Sequence, residues 1–94
     1  MTTGLRRLRG KKVDANQAEI VTALRKAGCR VLSLAPMGKN VADLLVSYRG
    51  QLYLLEVKMP AAAIRDDQVA WLNEWGGTLV RGPIEALRAV GATA

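Results

Sequence analysis

Histidine and phenylalanine are missing from this 94-residue sequence, and cysteine occurs once. Without histidine and with a single thiol, a His/Cys zinc site is excluded, and so is a histidine general base. Cys29 has no partner for an intrachain disulfide, which fits a reducing cytoplasm, so we expect a cytoplasmic protein with a small buried thiol. Any chemistry must therefore rest on carboxylates, lysine and a hard metal ion.

Long apolar runs are missing as well. No uninterrupted apolar stretch approaches the ~18 residues of a membrane span, so we expect no membrane partner. The N-terminal stretch lacks the apolar segment of a secretory signal. Hydrophobic residues nevertheless make up 50% of the chain, which is a globular composition, and the length predicts a single domain over residues 13–94.

Acidic residues are scarce, with 8 acids against 14 lysines and arginines, and the net charge is +6. Residues 1–12 hold five cations and no acid, which leaves residues 13–94 near neutral. We predict a flexible basic arm that contacts phosphates, the alternative being a solvated terminus that only aids solubility. The predicted phosphate contacts are Arg6, Arg7, Arg9, Lys11, Lys12 and, in a later loop, Lys39.

Apolar periodicity and turn residues predict the order α-β-β-β-α-β-α, an α/β fold with a mixed central sheet flanked by helices. Asp14 is the predicted N-cap of the first helix and Gly28 the residue that ends it. Pro83 is predicted to open the last helix. The predicted helices cover residues 14–28, 66–75 and 83–91, and the predicted strands cover residues 29–35, 41–48, 51–58 and 78–82.

The segment NVADLLVSYRGQLYLLEVKMP, residues 40–60, predicts a β-hairpin that carries three ionisable groups. A two-residue turn at Arg49-Gly50 would place Asp43 directly opposite Glu56, and Lys58 would share the face of Glu56. A type I turn with a bulge at Gly50 would shift this register by one residue. Since both faces of the second strand are apolar, we expect it to be covered on both sides.

Two carboxylates that face each other repel, and a divalent cation between them converts the repulsion into binding. With a lysine nearby, such a site suits phosphodiester hydrolysis by metal-activated water, which needs no histidine. The alternative is a structural salt bridge between Lys58 and a carboxylate. Trp71 and Trp75, four residues apart, are predicted to be core residues or, alternatively, to line a subunit interface.

The spacing Asp43-x12-Glu56-x-Lys58 on a hairpin behind an amphipathic helix resembles the PD-(D/E)XK nuclease superfamily. The closer resemblance is to its viral and phage VRR-NUC branch, which is similar to Holliday-junction resolvases. It implies a restriction-endonuclease-like αβββαβ core and a DNA endonuclease that uses Mg²⁺ or Mn²⁺. Branched DNA (junctions or flaps) is the implied substrate and a homodimer the implied assembly. Ala42 departs from the family pattern, which usually has proline at that position.

The resemblance also implies roles for individual residues. Asp43 and Glu56 fall on the metal ligands, and Glu19, in the segment NQAEIVTALRKAG, falls on an assisting acid of the first helix. Lys58 falls on the lysine that activates or orients water, and Gln68 on a glutamine that follows the catalytic strand. Two alternatives stay open: an inactive nucleic-acid-binding module of the same fold, and an interaction protein whose basic arm binds an acidic partner.

Overall fold

The structure, a computed structural model, describes residues 13–38 and 40–93. The predicted basic arm and Lys39 lie outside the described residues. Within those ranges the chain forms three α-helices, four strands and one short 3₁₀ helix. The helices are α1 (Gln17–Lys26), α2 (Asp66–Trp75) and α3 (Pro83–Ala89), and the strands are β1 (Arg30–Ser33), β2 (Leu44–Tyr48), β3 (Gln51–Val57) and β4 (Thr78–Val80).

The four strands form one mixed sheet in the order β1-β2-β3-β4. β1, β2 and β3 are antiparallel neighbours, and β4 pairs parallel to β3 after the crossover through α2. The predicted α/β class and the predicted element order are therefore confirmed. None of the helices in the described part of the chain has the length and apolar character that a membrane span requires.

α1 starts later than the sequence predicts. Asp14 was expected to cap it, but the capping position is Asn16, whose side chain makes no capping hydrogen bond. The carbonyl of Asp14 instead accepts a bond from the Gln17 N–H, which forms a turn ahead of the helix. At the other end Gly28, with φ +96°, ends α1 as predicted, since the left-handed conformation suits glycine.

The hairpin turn follows the two-residue prediction. Arg49 and Gly50 have φ values of 50° and 80°, and positive φ at both central residues is the requirement of a type I′ turn. The register runs from Leu44↔Leu55 to Tyr48↔Gln51, as predicted. The bulged alternative is thus excluded, and the faces on which the β3 side chains lie are fixed.

One face of the sheet carries the core. Ile20 and Leu24 of α1 and Ala86 of α3 pack against this face, and all three are fully buried. The opposite face is covered by α2 only in part, and Leu52 and Leu32 there are 69% and 58% exposed. The prediction that β3 is covered on both sides is wrong at the amino-terminal end of the strand, where Leu52 lies, because α2 lies only over the carboxyl-terminal half.

The tryptophans of α2 are not core residues. Trp71 is half-buried and Trp75 is 60% exposed, and neither belongs to the core cluster, so the core prediction is wrong for both. Their rings stack with centroids 5.5 Å apart and planes 20° apart. The two rings therefore pack on each other rather than in the core.

Gly77 joins α2 to β4 at a point where a side chain has little room. A Cβ atom there would lie 2.6 Å from Leu72 Cδ2 and 3.3 Å from the Leu54 carbonyl oxygen. We expect Gly77→Ala to lower the unfolding free energy by about 1–3 kcal/mol through overpacking, measured by urea denaturation. Gly82→Ala is the control, because a Cβ at Gly82 meets nothing within 4 Å. Equal losses in the two variants would contradict the close contact.

Candidate active site

Asp43 lies directly before β2 and is only 5% exposed. The Asp43 N–H donates to the Leu55 carbonyl at 3.1 Å. Continuation of the hairpin register would instead pair Asp43 with Glu56. Asp43 Oδ2 accepts a hydrogen bond from the Val57 N–H at 2.6 Å. The predicted pairing of Asp43 directly opposite Glu56 is therefore not formed, because the ladder ends at Leu44. The carboxylate instead lies against the backbone of the residue after Glu56.

Glu56 lies near the end of β3 and is also 5% exposed. Its Oε2 accepts a hydrogen bond from Gln68 Nε2 at 2.9 Å. The other end of that amide is fixed too, since Gln68 Oε1 accepts from the Arg65 N–H at 3.1 Å. This bond orients the amide so that its NH₂ group faces the carboxylate. The structure thus brings together two residues that the sequence predicted for one site.

Lys58 follows β3 and is half-buried. Its N–H donates to the Val80 carbonyl at 3.1 Å, and its own carbonyl accepts from Asn16 Nδ2 at 3.1 Å. The backbone of Lys58 is thus held from β4 and from the start of α1. None of the ion pairs formed within residues 13–38 and 40–93 involves Lys58, which leaves the alternative of a structural salt bridge without support.

Glu19 is not brought to the acids. It is exposed, and among the described residues no group of three or more His, Cys, Asp or Glu side chains comes close enough to share a metal ion. The reason is helical geometry: successive residues turn by 100°, and the buried stripe runs through Gln17, Ile20 and Leu24. Glu19 is two residues from the first of these and lies well off the stripe.

Asn16 and Gln17 are the residues that sequence reasoning missed. Both are more than nine-tenths buried, and Asn16 Oδ1 and Gln17 Oε1 have no hydrogen-bond partner. Asn16 Nδ2 bonds the carbonyls of Lys58 and Arg81, so the start of α1 lies against the end of β3. The available signal was the position of Gln17 on the apolar stripe, since a polar side chain there must be buried.

Arg81 organises the loop between β3 and α2. Its Nη1 donates to the carbonyls of Met59, Pro60 and Ala62 at 2.8, 3.3 and 2.6 Å. The Arg81 N–H donates to Glu85 Oε1 at 2.7 Å, which ties the residue to α3. One guanidinium therefore fixes the path of the chain immediately after Lys58.

We expect Arg81→Met to lower the unfolding free energy by about 1–3 kcal/mol, because three carbonyls lose a charged donor. Proteolytic cleavage within residues 59–65, mapped by mass spectrometry, should become faster. Arg88→Met is the control, since Arg88 is exposed on α3. If the loop is cleaved at the same rate in both variants, Arg81 does not hold it.

A cavity of about 260 Å³ lies beside Glu56, between α2 and the segment that precedes Asp43. Its apolar wall is made by Trp71 and Leu72, together with residues 41–42. Its polar groups are those of Asn40, Glu56, Asp67 and Gln68. The cavity is therefore lined both by a buried carboxylate and by an aromatic ring.

Asp67 stands at the rim of this cavity. Its Oδ1 accepts hydrogen bonds from Arg65 Nε and from the Gln68 N–H, both at 3.0 Å. The bond from the Arg65 side chain lowers the pKa of the Asp67 carboxyl, so the group is charged at neutral pH. The bond from the Gln68 N–H holds the Asp67 carboxylate against the first turn of α2.

The donor set suits a hard cation. Magnesium is commonly held by one or two carboxylates, with waters and substrate phosphates completing its shell. Asp43 and Glu56 supply two carboxylates at neighbouring strand ends, and the only thiol, Cys29, lies in the core, where burial raises its pKa. A soft-metal site is therefore disfavoured, while Mg²⁺ or Mn²⁺ fits the acids present.

Comparisons of the chain with protein-family models, with curated proteins and with solved structures found no match.

Proposed function

We propose that the chain is a DNA endonuclease that uses Mg²⁺ or Mn²⁺ and carries the restriction-endonuclease-like core. One observation carries the proposal: two buried carboxylates, Asp43 and Glu56, lie where paired strands end, and Lys58 follows Glu56 by two residues along the chain. Burial of an ionised carboxylate costs several kcal/mol unless hydrogen bonds, an opposite charge or a metal offset it. Two such groups in one small domain, at adjacent strand ends, are what supports the proposal.

In the proposed site, Asp43 and Glu56 would hold the cation, and a bound Mg²⁺ or Mn²⁺ would supply neutralisation of phosphate charge and a lower pKa for bound water. Gln68 keeps the Glu56 carboxylate in a fixed orientation through its hydrogen bond. The Lys58 ammonium donates to the attacking water or to the phosphate oxygens as negative charge builds up. Hydrolysis forms a bond from the water oxygen to phosphorus and breaks one ester bond, and the leaving oxygen takes up a proton.

The proposed substrate is branched DNA, and the proposed assembly is a homodimer with one site for each of two strands. A chain of 94 residues offers little surface with which to grip a duplex, so a second copy would extend the contact. The surplus positive charge of the sequence favours a polyanionic partner. Contacts from the arm (residues 1–12) and from Lys39 belong to this proposal.

The second candidate is an inactive nucleic-acid-binding module. The bond from the Val57 N–H to Asp43 Oδ2 favours it, because a carboxylate that caps a strand end has a structural use without metal. Under this candidate the acids would be retained for the sheet and no cleavage would occur.

The deciding experiment incubates the purified protein with branched, nicked and linear DNA in Mg²⁺ or Mn²⁺, with a chelator as control. The nuclease proposal expects cleavage that the chelator abolishes and that Asp43→Asn and Lys58→Ala reduce strongly. Lys26→Ala, an exposed lysine at the end of α1, is the matched control. Binding without cleavage, weakened steeply by salt, would support the inactive module. If the protein binds no DNA at any salt concentration, the result would support the alternative of an interaction protein with a protein partner.

A further inference from the structure

The cavity beside Glu56 is small and has one aromatic wall. Its volume of about 260 Å³ lies below the roughly 300–1,000 Å³ of sites for drug-sized ligands. A single flat ring system with a few waters matches that space. Trp71, Leu72 and residues 41–42 supply apolar contact for the faces of such a ring.

One ring of the tryptophan stack lines this cavity. Trp71 lines it, while Trp75 packs on the Trp71 ring at 5.5 Å from outside. A flat ring placed in the cavity would lie against Trp71, and stacking on aromatic side chains is a general means of holding an unpaired base. The Trp75 contact restrains the Trp71 ring, which lowers the entropy lost on stacking.

The charged groups at the rim of the cavity determine which kind of ring would bind there. Glu56 and Asp67 are carboxylates, so they repel a phosphate and accept hydrogen bonds from amino groups. Cytosine, adenine and guanine carry exocyclic amino groups, and thymine does not. The amides of Asn40 and Gln68 add groups that can both donate and accept.

We propose that this cavity receives one unpaired nucleobase of the DNA substrate, stacked on Trp71, with preference for a base that carries an amino group. The proposal rests on the nuclease function, since Glu56 would then serve both the metal and the cavity wall. The base would belong to a nucleotide close to the cleaved phosphate. A paired base cannot enter, so branches, flaps and bulges are favoured over duplex DNA.

The test uses flap DNA with 2-aminopurine at the unpaired position next to the branch. Binding is followed in a chelator, so that no cleavage is needed. We expect stacking to quench the 2-aminopurine fluorescence in wild type and in Trp71→Phe, but not in Trp71→Ala. Trp75→Ala is the control from outside the cavity and should keep most of the quenching. Circular dichroism checks that each variant is folded.

Cleavage supplies the second readout. With cytosine at that position, wild type should have a kcat/KM about tenfold above that for thymine, which lacks the amino group, or for an abasic site, which lacks the ring. Trp71→Ala should remove this preference, because the base is then no longer held in the cavity. Quenching that depends on Trp71 supports the pocket even if nothing is cleaved, in which case the nuclease proposal alone fails. Cleavage without quenching and without base preference overturns the pocket and leaves the nuclease intact. Absence of both quenching and cleavage overturns both proposals.

Discussion

Glu56→Gln is expected to lower kcat for DNA cleavage by about 10²–10³-fold or more, because the substitution removes a charge that the proposed metal requires. Glutamine has nearly the same shape, and its carbonyl oxygen can still accept the hydrogen bond from Gln68 Nε2. We therefore expect the unfolding free energy to stay within about 1 kcal/mol of wild type or to rise, since a buried carboxylate is costly. Single-turnover cleavage and urea denaturation measure the two quantities separately.

Two acids on helices provide matched controls. Glu74 on α2 is exposed, and Glu74→Gln should cleave like wild type. Glu19→Gln tests the acid that the family resemblance implied but that the structure leaves exposed on α1. We expect it also to retain activity. If Glu19→Gln loses as much activity as Glu56→Gln, α1 must present a different face to the site than the one described.

Leu55→Ala is expected to lower the unfolding free energy by about 2–5 kcal/mol. Leu55 is fully buried in the middle of the sheet and belongs to the core formed with α1 and α3. The loss is a large share of the stability of a small domain, and the melting temperature should fall by roughly 10–30 °C. Calorimetry or a thermal melt followed by circular dichroism measures it.

Leu52→Ala is the paired control on the same strand. Leu52 points to the opposite face and is 69% exposed, so its truncation leaves no cavity and should cost less than about 1 kcal/mol. If the two variants lose similar stability, the open face is covered by something in solution, for example a second copy of the chain. A melting temperature of the Leu52 variant that is independent of concentration would then argue against that explanation.

Much of the fold could be predicted because its signals are local. The order of the elements follows from apolar periodicity, and Gly28, Gly76 and Pro83 mark helix ends through backbone preferences that need no tertiary context. The hairpin register followed from the length of one turn. The φ values at Arg49 and Gly50 are unusual for arginine, yet the two-residue loop imposed them.

The errors arise where one segment depends on a distant one. Asp14 and Asn16 are equally suitable capping residues by type, but Asn16 takes that position because its side chain bonds carbonyls 42 and 65 residues away. The partial covering of the sheet could not be predicted either, since the sequence of β3 does not determine where α2 will lie. Trp75 is exposed for that same reason.

The candidate site was predicted in part. Glu56 and Gln68 come together as the resemblance implied, since both follow from the positions of β3 and α2. Asp43 lies at the same strand end but leaves the ladder, because a register rule holds only inside paired strands. The roles of Arg81 and Asn16 could not be predicted from the sequence. Their side chains donate hydrogen bonds to backbone carbonyls, which every residue type has, so the sequence carries no signal for the partner.

The type I′ turn has a practical consequence for handling this protein. Arg49 and Gly50 are exposed, and six residue steps along β3 separate Gly50 from Glu56, a distance of about 20 Å. New chain ends, or an inserted affinity peptide, could therefore be placed at the tip of the hairpin without crowding the acids. A circular permutant opened there would display the hairpin tip for immobilisation while the opposite rim of the sheet stays accessible to solvent.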